Sequence, residues 1–428
     1  MIPKMNEEFL WYLWQYRLFN NESFTTSGLP LEIVHPGQHN LDAGPDFTNA
    51  RIRIGDTLWA GNVEIHTKSS DWYNHNHQND MAFANIILHV VYEHDREIYD
   101  INHRPVATFE LKNKFQERIY KKYFYYLNNK NRIPCEKDFP GLNPIILKSW
   151  TERLFVERLE RKSLEILHLY DHNKMNFEET LYQFIAGNFG FKLNEEPFRL
   201  LARMLPLHIL GKHQNSLFQT EALLFGVAGL LTSHGEDDYS KQLQKESDFL
   251  RTKYSLTKLD GHLWKFLRSR PANFPTIRIS QFATLIQKPG NLFSKIIEAR
   301  KIENLAELFE VEATEYWKSH YLFGKTAPTS SKKLGIESIH NILINSVVRF
   351  LFFYGKMKSE PEYQDRAIDL MLLIPAESNH IIKSWEKLGV KVENAFESQA
   401  LIELMNSYCK QKKCLKCGVG LVLLRENN

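Results

Sequence analysis

The hydrophobic periodicity of the chain changes once, near Pro140 and Gly141, and this change limits the folds that it can adopt. Before that point, short alternating or continuously apolar segments are typical of β-strands. They cover residues 31–34, 47–54, 57–66, 86–92 and 106–111. After it, from Pro144 to about Leu401, apolar residues recur almost wholly at helical spacing. We therefore predict an α/β module followed by a large all-α domain.

Two helical segments complete the predicted α/β module. Asn6 is an expected N-cap for a helix over residues 6–20, and a polar, histidine-rich stretch over residues 71–85 is read as a second helix. The order over the first 112 residues is then αβββαβ. A chain of 428 residues should hold two or three domains. We place them at residues 1–140, 141–399 and 400–428, the last carrying a helix and a cysteine cluster.

Composition and charge restrict where the protein acts and how it binds partners. The net charge is only +3, so a nucleic-acid surface must be a local patch. The N-terminus carries acids where a signal peptide would be basic and then apolar. No apolar run approaches the roughly 18 to 20 residues that a membrane span needs. These features predict a cytoplasmic protein without a membrane segment.

An acidic residue precedes one predicted strand, and a Glu-x-His motif lies on the next. Asp46 stands before the strand over residues 47–54, and Glu64 and His66 share one face of the strand over residues 57–66. Two carboxylates at one sheet edge suit a hard divalent cation, here Mg²⁺ or Mn²⁺. His66 is then a general base or a further ligand. Alternatively, Asp46 is a turn residue and Glu64 and His66 face solvent on an edge strand.

Histidines are concentrated in the same part of the chain. Of 17 histidines, eight lie in the first 103 residues. Residues 71–80, directly after the Glu-x-His strand, supply four polar candidates: Asp71, His75, His77 and Asp80. His89 lies inside an apolar strand, where it is either a buried histidine bonded to backbone or a metal ligand.

The four cysteines suggest a second metal site. Cys409, Cys414 and Cys417 lie within nine residues, and Cys135 is a distant fourth. In a reducing compartment this spacing favours metal ligation over disulfides. Zn²⁺ or a [4Fe–4S] cluster fits four thiolates. The alternative is a set of free thiols on a lysine-rich tail.

A basic and aromatic stretch over residues 263–278 is the candidate nucleic-acid contact. Arginines at positions 268, 270 and 278 alternate with aromatic residues, which suits phosphate contacts combined with base stacking. We assign substrate binding to Arg268, Arg270 and Arg278. The alternative is that the aromatic residues are core and the arginines form a solvated face.

Several motifs together resemble an uncharacterised bacterial family known only as a domain of unknown function, and the likeness spans the chain. They are Gly44-Pro45-Asp46-Phe47, Gly61-Asn62-Val63-Glu64-Ile65-His66, Ser69-Ser70-Asp71-Trp72 with His75 and His77, Leu88-His89-Val90-Val91, Arg270-Pro271-Ala272-Asn273-Phe274-Pro275 and Cys414-Leu415-Lys416-Cys417.

Residues 6–112 also resemble the PD-(D/E)XK nuclease core. That resemblance implies a restriction-endonuclease-like fold in which Asp46 and Glu64 bind Mg²⁺, with His66 replacing the usual lysine. The cysteines resemble the iron–sulfur loop of endonuclease-III-type DNA glycosylases. They also resemble an iron–sulfur branch of the PD-(D/E)XK nucleases, although the spacing differs and Cys135 follows the nuclease-like core.

The leading functional hypothesis is a metal-dependent nuclease or phosphodiesterase that acts on DNA rather than RNA, in repair or processing. The second hypothesis is a non-catalytic nucleic-acid-binding or scaffolding protein that keeps a degenerate nuclease fold; the missing lysine favours it. A third is a histidine-rich metallohydrolase with a small-molecule substrate. The carboxylate pair and the histidine concentration favour an enzyme.

Overall fold

A computed structural model describes residues 5–20, 23–231, 237–267 and 270–426 of the chain. The chain divides into two compact units, Met1–Trp150 with Leu404–Asn428, and Thr151–Glu403. The predicted order of a sheet-rich N-terminal region and a mostly helical region is confirmed. The C-terminal segment, which the sequence suggested as a separate piece, belongs to the first unit.

The first unit contains one mixed sheet and several short helices. Its elements are α1 (Glu7–Gln15), β1 (Ser23–Phe24), β2 (Pro30–His35), β3 (Gln38–His39), β4 (Phe47–Ile54), β5 (Thr57–Lys68), α2 (Asp71–Asn74), β6 (Ile86–Glu93), β7 (Thr108–Glu110) and α3 (Glu117–Asn128). Asn6 caps α1 as predicted, because its side chain accepts a hydrogen bond from the Phe9 amide at 3.0 Å.

The sheet changes from antiparallel to parallel at β5. The strand order is β1-β2-β4-β5-β6-β7, and β3 pairs with β4. β2, β4 and β5 pair antiparallel, whereas β6 is parallel to both β5 and β7. Residues 87–91 of β6 are buried, as expected for a strand covered on both faces. β5 is therefore central, and its second half lies beside the buried strand β6.

The helix predicted over residues 71–85 is wrong in extent. α2 ends at Asn74, and two 3₁₀ turns follow, His77–Asn79 and Met81–Phe83. Asn76 takes a left-handed conformation with φ of 62°, which interrupts the helix. The resulting irregular segment directs its histidines back toward β5.

The second unit is helical apart from one small hairpin. Its elements follow α4 (Pro144–His172), which starts in the first unit. They are α5 (Phe177–Phe189), α6 (Phe191–Met204), α7 (Leu207–Leu210), α8 (Leu217–Val227), α9 (Asp238–Tyr254), α10 (Pro275–Gln287), α11 (Leu292–Glu298), α12 (Ile302–Leu308), α13 (Glu315–Lys318), β8 (His320–Leu322), β9 (Lys325–Thr326), α14 (Ile336–Ile342), α15 (Arg349–Lys358), α16 (Pro361–Leu373), α17 (His380–Glu386) and α18 (Ala395–Glu403).

One continuous helical stretch of the second unit is unusually apolar. Residues 336–358 join α14, a π-helical turn and α15, and their best window has a mean hydropathy of 1.3. By length and composition this is the one described helix that could cross a membrane, which the sequence analysis did not foresee. Of that window, 61% is buried inside the protein, and a core helix has the same properties.

The C-terminal segment of the first unit is broken into short helical pieces. A π-helical turn spans Leu404–Cys409, a 3₁₀ turn spans Cys414–Lys416, and α19 spans Gly418–Arg425. Lys412 lies between them with a positive φ of 56°. The helix predicted to run into the cysteines reaches Cys409, since residues 395–409 are helical throughout; Cys414 and Cys417 lie in the turns after it.

Candidate metal centre

Asp46 and Glu64 meet where β4 ends beside β5. The Asp46 amide donates a hydrogen bond to Glu64 Oε2 at 3.0 Å, and the Ile65 amide donates to Asp46 Oδ2 at 3.0 Å. Just before β4 begins, the Asp46 carboxylate thus accepts the hydrogen bond of a β5 amide in place of a backbone carbonyl. The predicted convergence of the two acids is present, and the alternative of a solvent-facing edge strand does not hold for Glu64, which is buried.

The environment of Asp46 disfavours its charged form. Burial and the neighbouring charge of Glu64 raise the pKa of Asp46 well above its usual value. Hydrogen bonding from the Ile65 amide opposes this shift and does not cancel it. Without a bound cation, one proton is therefore retained by this pair near neutral pH, and a divalent cation would relieve the repulsion.

This shift predicts a pH-dependent stability difference between the wild type and Asp46→Asn. A carboxyl whose folded-state pKa is raised stabilises the fold at low pH, and that stabilisation is lost as pH rises from about 4 through the folded-state pKa. In EDTA, we expect the two proteins to unfold at similar temperatures at about pH 4. At pH 8 the variant should be the more stable. Thermal unfolding followed by circular dichroism measures this, and a constant difference across the range would contradict the shifted pKa.

His66 is at the centre of a chain of three imidazoles. Its Nδ1 lies 2.8 Å from His89 Nε2, and its Nε2 lies 3.0 Å from His75 Nδ1. His66 is 1% exposed and His89 is fully buried. Burial, together with His77 and His75, lowers the pKa of His66 to about 3. His66 is therefore neutral at physiological pH, which suits a metal ligand and makes the alternative role of general base weak.

A third histidine completes a cluster with metal-ligand geometry. The ligand atoms of His66, His75 and His77 all lie within 4.8 Å of one another. Glu64 Oε1 lies 3.5 Å from His66 Nε2 and 3.3 Å from His77 Nε2. The His77 ring stacks on Phe83 with ring centroids 3.8 Å apart. Its buried Nε2 has no hydrogen-bond partner among the described residues, which fits an atom aimed at a cation.

His89 holds His66 from the side opposite to His75. A metal ligand at His66 Nε2 requires the proton on Nδ1, and His89 Nε2 is placed to accept it. We expect His89→Leu to lower Mn²⁺ affinity about 10- to 100-fold, as outer-shell substitutions do. His89→Gln, which offers an acceptor oxygen, should retain more of the Mn²⁺ affinity than His89→Leu does. Isothermal titration calorimetry on folded variants measures this, and unchanged affinity in His89→Leu would contradict the assigned role.

Glu7 is a site residue that the sequence analysis did not assign. It lies in the first turn of α1. Burial raises the pKa of Glu7, and the charges of Asp71 and Glu64 add to this, whereas His75 and His77 oppose it. Glu7 therefore lies beside the cluster. Acids in a helical first turn are common, because they favour the helix dipole, so the sequence carried no signal specific to this role.

The other acids predicted near the site have local structural roles. Asp71 accepts hydrogen bonds from Thr67 Oγ1 and the Lys68 amide at 3.1 and 3.0 Å. Burial acts to raise the pKa of Asp71, but these bonds and one from Asn74 lower it overall. Asp80 is exposed and caps a 3₁₀ turn through the Ala82 amide at 2.9 Å. Hydrogen bonds therefore occupy both oxygens of Asp71, whereas Asp80 lies on the exposed surface.

The predicted arginine patch is not formed as expected. Arg278 is 4% exposed, and its guanidinium donates to Gln281 Oε1 at 3.0 Å and to Ser338 Oγ at 3.1 Å. The substrate-binding role of Arg278 is therefore wrong, because its guanidinium faces the core of the second unit. Arg270 is exposed. Arg268 lies outside the described residues.

The four cysteines all belong to the first unit. Cys135, Cys409, Cys414 and Cys417 are buried thiols, and none forms a disulfide. Cys135 lies in the loop after α3, and the other three lie in the C-terminal turns. The structure thus brings the distant cysteine into the same unit as the clustered three.

Comparison with known proteins identifies the family. A family model described as "Protein of unknown function (DUF2851)" matches residues 7–380. The chain belongs to this family. No curated protein and no solved structure matches it. Nothing found therefore supports the resemblance to PD-(D/E)XK nucleases.

The part of the chain that matches DUF2851 contains the whole carboxylate and histidine cluster. Residues 7–380 include Glu7, Asp46, Glu64 and the three clustered histidines. They also include Cys135, whereas the three C-terminal cysteines lie beyond the match. Since the DUF2851 description states no activity, the function must be argued from the site itself.

Proposed function

We propose that this DUF2851 protein is a metal-dependent phosphodiesterase that cleaves nucleic acid, with DNA as the expected substrate. The observation that carries the proposal is that the Glu64 carboxylate, which accepts the Asp46 amide hydrogen bond, lies beside a cluster of three histidines. Carboxylate and imidazole donors together suit Mn²⁺, and carboxylates alone suit Mg²⁺. We include a restriction-endonuclease-like core in the proposal, because α1, the three longer strands β2, β4 and β5, α2 and β6 follow one another in the order such a core needs.

The residues divide into ligands and positioning groups. Glu64, His66 and His77 would bind the cation, since Glu64 Oε1 lies 3.5 Å from His66 Nε2 and 3.3 Å from His77 Nε2, and His77 Nε2 has no hydrogen-bond partner among the described residues. The Asp46 carboxylate would provide a second negative charge near the cation. A bound cation supplies charge for the scissile phosphate and lowers the pKa of a bound water.

The solvent side of the cluster is where a substrate would enter. His75 is exposed, whereas His66 and Glu64 are buried. His75 therefore lies between the buried ligands and solvent. Glu7, with its raised pKa, is a candidate for holding the proton that a leaving oxygen needs.

The test is a cleavage assay with defined metals. Protein freed of metal with EDTA is given Mn²⁺, Mg²⁺ or neither, with single-stranded DNA, double-stranded DNA or RNA of equal length. We expect cleavage with Mn²⁺ and none in EDTA. Salt-sensitive binding without cleavage under any metal would instead favour the non-catalytic nucleic-acid-binding protein.

A second candidate is favoured by one observation, the three clustered imidazoles. Such a donor set suits Zn²⁺ and other transition metals, as in metallohydrolases that act on small molecules. A small phosphodiester, bis(p-nitrophenyl) phosphate, separates the two candidates. Zn²⁺-dependent turnover of it, with no cleavage of any nucleic acid, would favour the small-molecule enzyme.

A further inference from the structure

The four cysteines share one buried location although the chain separates them widely. Cys135 is 8% exposed, and Cys409, Cys414 and Cys417 are each 7% exposed. The chain leaves the first unit after Trp150 and returns to it at Leu404. Every cysteine of this chain thus belongs to the first unit. The Lys412 ammonium donates a hydrogen bond to the Asn129 carbonyl oxygen, which connects the C-terminal turns to the loop that carries Cys135. Four free thiols buried together without a disulfide point to a shared ligand.

The cysteine sulfurs are spaced more widely than one bound zinc ion would hold them. Tetrahedral Zn²⁺ with bonds of about 2.3 Å holds its sulfurs about 3.8 Å apart. Among the described residues, no three cysteine sulfurs lie mutually within 4.8 Å, although three histidine nitrogens elsewhere do. An iron–sulfur cluster spreads its cysteine ligands over several iron atoms, and therefore over a larger volume than one ion does.

Cys417 lies where a helix begins and where backbone amides can reach its sulfur. It is the N-cap of α19, and the positive end of a helix dipole stabilises nearby negative charge. The Val419 and Gly420 amides hydrogen-bond to its sulfur, although burial raises the pKa of Cys417 overall. N–H donors of this kind stabilise thiolates once they bind a cluster.

Two glycines permit close packing of the backbone in the segment that carries Cys414 and Cys417. A Cβ atom at position 420 would lie 2.2 Å from the Cys414 carbonyl oxygen, and one at position 418 would lie 2.7 Å from the Trp150 ring. Only glycine fits at either position without a shift of the backbone or the ring. The segment that carries the two cysteines is therefore tightly packed.

We propose that Cys135, Cys409, Cys414 and Cys417 bind one iron–sulfur cluster that closes the first unit. The spacing Cys409-x4-Cys414-x2-Cys417 with one remote cysteine is compatible with cluster ligation. The cluster connects the loop after α3 to the returning C-terminal segment. Its role is structural: it holds residues 404–426 in the unit that also carries the candidate metal centre.

The first test is the metal content of the full-length wild-type protein, purified without oxygen. We expect iron and acid-labile sulfide in equal amounts, at two or four of each per chain, and a visible absorbance that dithionite bleaches. One zinc per chain without sulfide would overturn the proposal. So would the absence of iron both after this purification and after reconstitution with Fe²⁺ and sulfide.

Variants test the ligand set and the structural role. Cys135→Ser and Cys409→Ser should each retain less than half of the wild-type iron, whereas Lys410→Ala, an exposed neighbour, should retain all of it. Trypsin should cleave Cys135→Ser early at Lys410, Lys412, Lys413 or Lys416 and spare the wild type. A full iron content in Cys135→Ser would show that Cys135 is not a ligand. Equal resistance of both proteins to trypsin would contradict the structural role of the cluster.

Discussion

Glu64→Gln is expected to abolish metal-dependent cleavage while leaving the fold intact. Glutamine keeps the shape of the side chain and an oxygen that can accept the Asp46 amide hydrogen bond. It loses the charge that lies 3.3 and 3.5 Å from His77 Nε2 and His66 Nε2. Outer-shell substitutions alone cost about 10- to 100-fold, so the loss of a ligand should exceed about 100-fold in both Mn²⁺ affinity and cleavage rate. Calorimetry and a cleavage assay measure the two quantities.

Glu32→Gln is the matched control for this experiment. Glu32 lies on β2 of the same sheet and pairs with Arg53 at 3.1 Å on the exposed surface. Exposed ion pairs contribute about 0–1 kcal/mol to stability, so this variant should bind Mn²⁺ and cleave like the wild type. Cleavage that persists in Glu64→Gln would assign the activity to another site or to a contaminant.

Arg278→Ala is expected to destabilise the second unit by about 2–5 kcal/mol, because it creates a cavity and leaves buried acceptors unpaired. The guanidinium bonds to three side chains, those of Gln281, Ser338 and Asn273. It also lies 4.6 Å from the centre of the Phe191 ring. Burial lowers the pKa of Arg278 to about 10. The free energy of unfolding in urea measures the loss.

Arg300→Ala provides the comparison in the same unit. Arg300 forms an exposed ion pair with Glu362 at 3.0 Å, so its loss should cost at most about 1 kcal/mol. The salt dependence of any DNA binding should be the same in Arg278→Ala as in the wild type, since a buried guanidinium releases no phosphate counterions. If Arg278→Ala were as stable as the wild type and its DNA binding depended less on salt concentration, Arg278 would instead be assigned to a nucleic-acid surface.

The strand pattern and the acidic pair could be predicted because both depend on local periodicity. β4 has the predicted bounds, residues 47–54, and β5 extends the predicted strand by two residues. Asp46 directly precedes β4, and Glu64 lies on the next strand. The antiparallel pairing of Phe47 with Val63 therefore places the two acids side by side. The only assumption needed was that consecutive strands pair, which they commonly do.

The site residues that escaped prediction depend on contacts between distant segments. The contact of His89 with His66 requires the parallel pairing of β6 with β5, which places His89 opposite Glu64. Glu7 reaches the cluster from α1, and no local pattern distinguishes it from Glu8. Arg278 looked like a surface cation because the sequence does not show that Gln281, Ser338 and Phe191 enclose it.

The sequence by itself determined the two classes of structure, the strands that carry Asp46, Glu64 and His66, and the grouping of three of the four cysteines. These follow from side-chain periodicity and spacing, which are properties of neighbouring residues. Only the tertiary structure decided that the C-terminal segment joins the first unit, that three histidines lie together, and that two of them lie beside Glu64. The physical reason is that such contacts close long loops, and their free energy depends on the packing of the whole unit rather than on any local pattern.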